Sequence, residues 1–158
     1  MRLLGVLLLC LVCALPGSVS AAAIVSSLSD STIRVGANAN PSSVTGVATG
    51  TPSANRVNCV QFFLSFGVTI LNVQINGNNA ASVVGDTSIG AYVACASNPT
   101  GTTATVSVGF VSGTSILHFD GAFALTNANP SSASTPIQND SSGSGTINVP
   151  AGGTVVAY

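Results

Sequence analysis

The sequence has 158 residues, 46% of them apolar and only 4% charged, with no lysine or glutamate, which fits one domain and excludes a charge-rich disordered chain. Its charges are Arg2, Arg34 and Arg56 against Asp30, Asp86, Asp120 and Asp140, a formal net charge of −1. So few cations exclude recognition of a nucleic-acid backbone or of an anionic membrane surface.

Residues 1–21 have the layout of a secretory signal peptide. Arg2 supplies the positive start, Leu3 to Leu15 an apolar run too short to span a bilayer comfortably, Pro16-Gly17 a helix break, and Val19-Ser20-Ala21 the small residues of a cleavage site. Cleavage is expected after Ala21, carrying away Cys10 and Cys13 and leaving residues 22–158 as a single secreted domain. No later stretch is long and apolar enough to cross a membrane, so the product is expected to be extracellular or held at the cell surface, with no transmembrane segment. Only Cys59 and Cys95 then remain. In an oxidising compartment they most simply pair as a disulfide; two buried free thiols are the alternative.

Along the mature chain, residues 22–29 are small and read as a flexible edge. Ser31 to Ala39 alternates Ile33, Val35, Ala37 and Ala39 against Thr32 and Arg34, which predicts a first strand. Asn40 to Ala54, with Pro41, Gly46, Gly50 and Pro52, reads as loop around a short strand at Val44 to Ala48. Then comes the most apolar part of the domain. Val60, Phe62, Leu64 and Phe66 alternate with Gln61, Phe63 and Ser65, so one face of a strand is apolar. Phe63, on the other face, is read as core of the second side. After Gly67, Leu71, Val73 and Ile75 mark another strand, closed by the turn pair Asn76-Gly77. The core is expected here.

A short extended piece follows at Ala81 to Val84. Thr87 to Ala96 is predicted as a strand with Ile89, Ala91, Val93 and Cys95 on one face. Asn98-Pro99-Thr100-Gly101 is a turn. Thr103 to Val111 puts Val106, Val108 and Phe110 inward. Ser115 to Asp120 puts Leu117 and Phe119 on one face, with Ile116, His118 and Asp120 opposite; Gly121 interrupts before Phe123 and Leu125. Thr126 to Gly145 is polar and turn-rich, with Ile137 as its buried candidate, and Thr146 to Val149 and Thr154 to Ala157 read as closing strands. Strands every eight to fifteen residues, with turns between and no helical period, predict an all-β, antiparallel, immunoglobulin-like sandwich. A β-helix is the rival fold, on the strength of Asn72 to Asn79, but the strands are unevenly spaced.

The strand from Cys59 to Phe66, the following Val68 to Val73, and the tail Phe123-Ala124-Leu125-Thr126-Asn127-Ala128 through Thr135-Pro136-Ile137 to Gly145-Thr146-Ile147-Asn148-Val149 resemble the cohesin-like family of bacterial β-sandwiches over roughly residues 31–149. The resemblance implies a non-catalytic module that docks a protein partner or attaches to a surface. This chain departs from the family in lacking acidic and glycine positions after the first large strand and in adding two cysteines.

Little in the sequence carries chemistry. His118 and Asp120 share a strand face, but no nucleophile elbow accompanies them, and a solvent-facing pair is the simpler reading. Asp86 and Asp120 have no local pattern of a glycosidase pair, and neither zinc nor calcium finds a ligand cluster. Neither a catalytic residue nor a cofactor is therefore expected. With no tryptophan and with only Tyr92 and Tyr158 as tyrosines, a flat sugar-binding platform is not expected, although carbohydrate stays among the partners the fold allows. Asn139-Asp140-Ser141 is an N-glycosylation sequon. The function expected is structural or adhesive: self-association through strand edges or contact with an extracellular protein, with Ala22 to Val35 and Thr146 to Tyr158 as candidate donor strands.

Overall fold

The computed structural model describes residues 24–128 apart from residue 66. The leader, the glycosylation sequon at Asn139 and the closing strands expected after residue 145 lie outside the described residues. Among the described residues, ten strands run in chain order: β1 (Ile24–Asp30), β2 (Arg34–Val35), β3 (Ser42–Ala48), β4 (Arg56–Phe63), β5 (Ile70–Ile75), β6 (Asn78–Asn79), β7 (Ser82–Asp86), β8 (Ala91–Ser97), β9 (Thr103–Phe110) and β10 (His118–Thr126). They form two antiparallel sheets. One has the order β1-β10-β4-β8-β7, with β2 also on β10; the other has the order β3-β9-β5-β6. The fold is thus an all-β sandwich, and antiparallel pairing throughout is incompatible with a β-helix.

β4 lies in the middle of the larger sheet, where its apolar alternation requires it. Val60, Phe62 and Leu64 point into the sandwich, and Phe62 stacks on Tyr92 of β8 with ring centroids 5.6 Å apart and planes 18° from parallel. Val73 and Ile75 of β5 and Val106, Val108 and Phe110 of β9 face them from the other sheet. Leu117, Phe119 and Ala122 fill the rest from the β10 side. Period two predicts these inward sets because successive side chains of a strand point to opposite faces.

Several boundaries differ from expectation. Residues 24–30 form a full seven-residue strand paired with β10, so this part of the candidate donor strand is already used within its own chain. The predicted strand over Ser31 to Ala39 shrinks to Arg34–Val35. β3 begins at Ser42, earlier than expected, and its pairing slips between Val44 and Val47, where Gly46 takes a positive φ of 70°. Leu71 is 68% exposed, because the β5–β9 register shifts between Ile70 and Asn72 and Ile70 packs on the core instead. Residues 87–90 are turn, and in β8 it is Tyr92, Ala94 and Ala96 that face inward; Val93 and Cys95 face out. Gly121 is no break but a register shift inside β10, after which Ala122 and Ala124 pair in turn and Leu125 reaches the outer face. Asn76 and Gly77, at φ 54° and 80°, make the expected tight turn into β6.

Candidate functional site

The expected disulfide is formed. Cys59 of β4 and Cys95 of β8 are direct cross-strand partners with Cα atoms 4.1 Å apart, on the outer face of the larger sheet beside Val57 and Leu125. His118 is exposed at the start of β10. Asp120 accepts a hydrogen bond from the Gln61 amide at 3.0 Å. Asp86, on β7, lies three strands away from β10, about 14 Å at the usual strand spacing, beyond the range of a glycosidase pair. It accepts bonds from the Ser88 amide at 2.8 Å and the Ser88 hydroxyl at 2.6 Å, which shapes the β7–β8 turn. Among the described residues no three His, Cys, Asp or Glu side chains come together.

Two polar nodes escaped the sequence reading. Arg56, at the start of β4, is buried, and its guanidinium donates to four backbone carbonyls: Nε to Asn98 (2.6 Å), Nη1 to Gly50 (2.8 Å), and Nη2 to Thr100 (2.7 Å) and Gly101 (2.9 Å). Burial lowers its pKa from the ordinary arginine value. Beside it Asn98 Nδ2 donates to Asn58 Oδ1 at 2.9 Å, and Asn58 Nδ2 donates to the Thr49 carbonyl at 3.1 Å. This node ties the Gly50 loop and the Asn98–Gly101 turn to the central strand. The second node is Asp30, at the end of β1. It accepts bonds from the amides of Ala48 (2.6 Å) and Thr32 (2.8 Å) and pairs with Arg34 at 2.9 Å, joining one sheet to the other. Burial alone would raise its pKa; the two amides and Arg34 outweigh that and hold it below the ordinary carboxyl value. Arg34 also lies over the Phe119 ring, 5.5 Å from its centroid. Both nodes are bonded within their own chain and act as clamps, although among the described residues Asn98 Oδ1 is buried without a hydrogen-bond partner. A lone arginine among glycine turns carries no sequence signal for this role, because its partners are backbone carbonyls, which every residue has.

Among the described residues, β7 stands at an edge of the larger sheet. The Cys59–Cys95 spacing and the bond from the Leu64 amide to the Gly90 carbonyl (2.9 Å) show that Cys59, Gln61 and Phe63 are non-hydrogen-bonded partners of Cys95, Val93 and Ala91. In β8, Ala91, Val93 and Cys95 therefore turn their backbone groups toward β7. Their partners there are Asp86, Val84 and Ser82. Val83 and Gly85 consequently aim their N–H and C=O groups away from the sheet, where no described strand pairs with β7. β7 is regular across all five residues, whereas β1 and β3 carry register shifts that spoil them as templates. It holds neither proline nor lysine, and Val83 is 41% exposed. Gly85 is required there: a Cβ would run into the Tyr92 ring and the Ala91 carbonyl, so the ring that stacks on Phe62 also covers the glycine. No family model, curated protein or solved structure matches the chain.

Proposed function

We propose that this chain is a secreted, non-catalytic structural or adhesive protein whose sandwich domains associate with one another through strand edges. The observation that supports this reading is the outward-facing backbone of Val83 and Gly85 on β7, opposite which no described strand pairs. Its sequence Ser82-Val83-Val84-Gly85-Asp86 is self-complementary about Val84. In an antiparallel pair of copies centred there, Val83 of each chain exchanges both backbone bonds with Gly85 of the other, and the two Val84 residues face each other. Asp86 falls opposite Ser82, so no like charges meet. The domain's near-neutrality leaves little repulsion to oppose the approach. Each backbone bond contributes about 1 kcal/mol net, while docking costs at least several, so a single edge pair is weak and association is strongly concentration-dependent. Such weak, repeated contacts suit a surface or matrix where copies are crowded.

Light scattering on the oxidised protein 22–158 tests the proposal. The native chain is expected to gain mass with concentration, and Val83→Lys to stay monomeric at the same concentrations with its thermal stability unchanged. A native chain that is monomeric throughout, or a Val83→Lys protein that associates equally, would sink it.

A further inference from the structure

β3 is the outermost strand of the smaller sheet, with β9 on one side and no described strand on the other. Thr49 donates its amide to the Thr102 carbonyl at 2.9 Å, in register with the pairs Ala48–Thr103 and Val47–Ala104. Ala48, one step back, therefore turns its N–H away from β9, and Gly46, two residues earlier, presents its carbonyl on the same side. A strand laid alongside would bond these two groups. In this chain an ion pair takes both. Asp30 Oδ2 accepts from the Ala48 amide at 2.6 Å, and Arg34 Nη2 donates to the Gly46 carbonyl at 3.1 Å. The two side chains are bonded to each other at 2.9 Å, and that of Asp30 is only 3% exposed. The other end of β3 is covered by the segment at Gly36 and Ala37. Ser42 Oγ donates to the Ala37 carbonyl at 2.7 Å, and Gly36 passes so near Ser43 that a Cβ would fall 2.9 Å from its carbonyl oxygen.

We propose that the Asp30–Arg34 pair is an edge guard: it occupies the outward backbone of β3 and so keeps this strand from pairing with a second copy of the chain. The register shift at Gly46 makes β3 a poorer template than β7. Val47 and Ala48 beyond it nevertheless pair regularly with Ala104 and Thr103, so the shift alone leaves this end usable. Charge is what the pair adds. Neither β3, β9, β5 nor β6 carries a charged residue of its own, so the smaller sheet borrows Asp30 and Arg34 from the larger one for the task that lysines perform on other sheet edges. The inference does not rest on the β7 contact. Where that contact forms it is isologous and closes at two copies, and an open β3 would let such pairs link into chains.

Two forms of the oxidised protein 22–158 test it: Val83→Lys alone, which takes β7 out of play, and Val83→Lys together with Asp30→Ala. Light scattering follows mass, and residue-by-residue amide exchange follows Ala48 against Thr49, whose bond to Thr102 is untouched. In the dilute Asp30→Ala protein the Ala48 amide should exchange roughly tenfold to a hundredfold faster than in the parent, the equivalent of one charge-assisted bond. As concentration rises, that protein alone should gain mass, and its Ala48 amide should slow again while Thr49 holds constant. Mass equal to the parent's at every concentration, or a gain in mass with Ala48 still fast, would overturn the proposal. Arg34→Ala in the same background covers the case in which Asp30→Ala fails to fold, since it leaves Asp30 on its two amides and uncovers the Gly46 carbonyl alone. It too should gain mass above the parent, and no gain would contradict the guard. Failure of the β7 reading shows separately, as association of the Val83→Lys parent itself.

Discussion

Replacing Arg56 with methionine tests whether the buried guanidinium is what holds one end of the sandwich together. The four carbonyls it binds belong to the Gly50 loop and the Asn98–Gly101 turn, at 2.6 to 2.9 Å. A charge-assisted bond contributes about 1.5–3 kcal/mol, so four together offer roughly 6–12 kcal/mol. Removing the guanidinium from water costs several kcal/mol of that. The net loss expected for Arg56→Met is therefore about 3–5 kcal/mol, much of it the cost of four carbonyls left without a donor. A domain of this size has about 5–15 kcal/mol in all, so the effect is large. In urea, with a slope of about 1–3 kcal/mol per molar, the midpoint should fall by about 2 M. Arg56→Lys keeps the charge but not the planar fork, and should fall between the two. A shift for Arg56→Met under about 0.5 M would refute the reasoning, since the loops would then be held by something else.

Three further outcomes are expected. Phe62→Ala removes a fully buried ring and its stacking on Tyr92, and should cost about 3–5 kcal/mol in thermal or urea unfolding. Asp30 has a folded-state pKa below its unfolded one, so the stability it contributes is complete above pH about 4 and is lost as pH falls through the folded value. Melting temperatures between pH 2 and 6 should accordingly drop more steeply for the native protein than for Asp30→Asn, which starts lower and has no such carboxyl to titrate; parallel curves would contradict the clamp. The double replacement of Cys59 and Cys95 by alanine should cost roughly 3–4 kcal/mol, as expected for a bridge across a separation of 36 residues, read as a fall in the urea midpoint.

The sets Val60–Phe62–Leu64, Val106–Val108–Phe110 and Leu117–Phe119 could be read from sequence because each lies on a strand with one strongly buried face, and a period of two is a local property. What could not be read depends on distant partners. β4 is buried on both faces, so Gln61 and Val57 look like solvent positions in the pattern yet are covered. The shift at Gly121 reverses which side of β10 faces in, and the one before Asn72 sends Leu71 to solvent; both are set by neighbouring strands, not by the residues themselves. β4 and β5, adjacent in sequence, belong to different sheets, which the Gly67 break did not announce. Likewise nothing in Ser82–Asp86 marks an edge: that follows from strand order alone. Its lack of proline, charge repulsion and register shift becomes meaningful only once the edge is known.

The central claim, that β7 joins copies of the domain, is tested most directly by amide exchange at Val83 and Gly85, measured residue by residue across a range of protein concentrations. These two amides point away from β8, so in the isolated domain they should exchange fast while Val84 between them is protected. Protection is expected to rise with concentration at Val83 and Gly85, and to leave Val84 unchanged. If both amides exchange at the same fast rate at every concentration, or are already protected in dilute monomer, β7 is not where the copies meet.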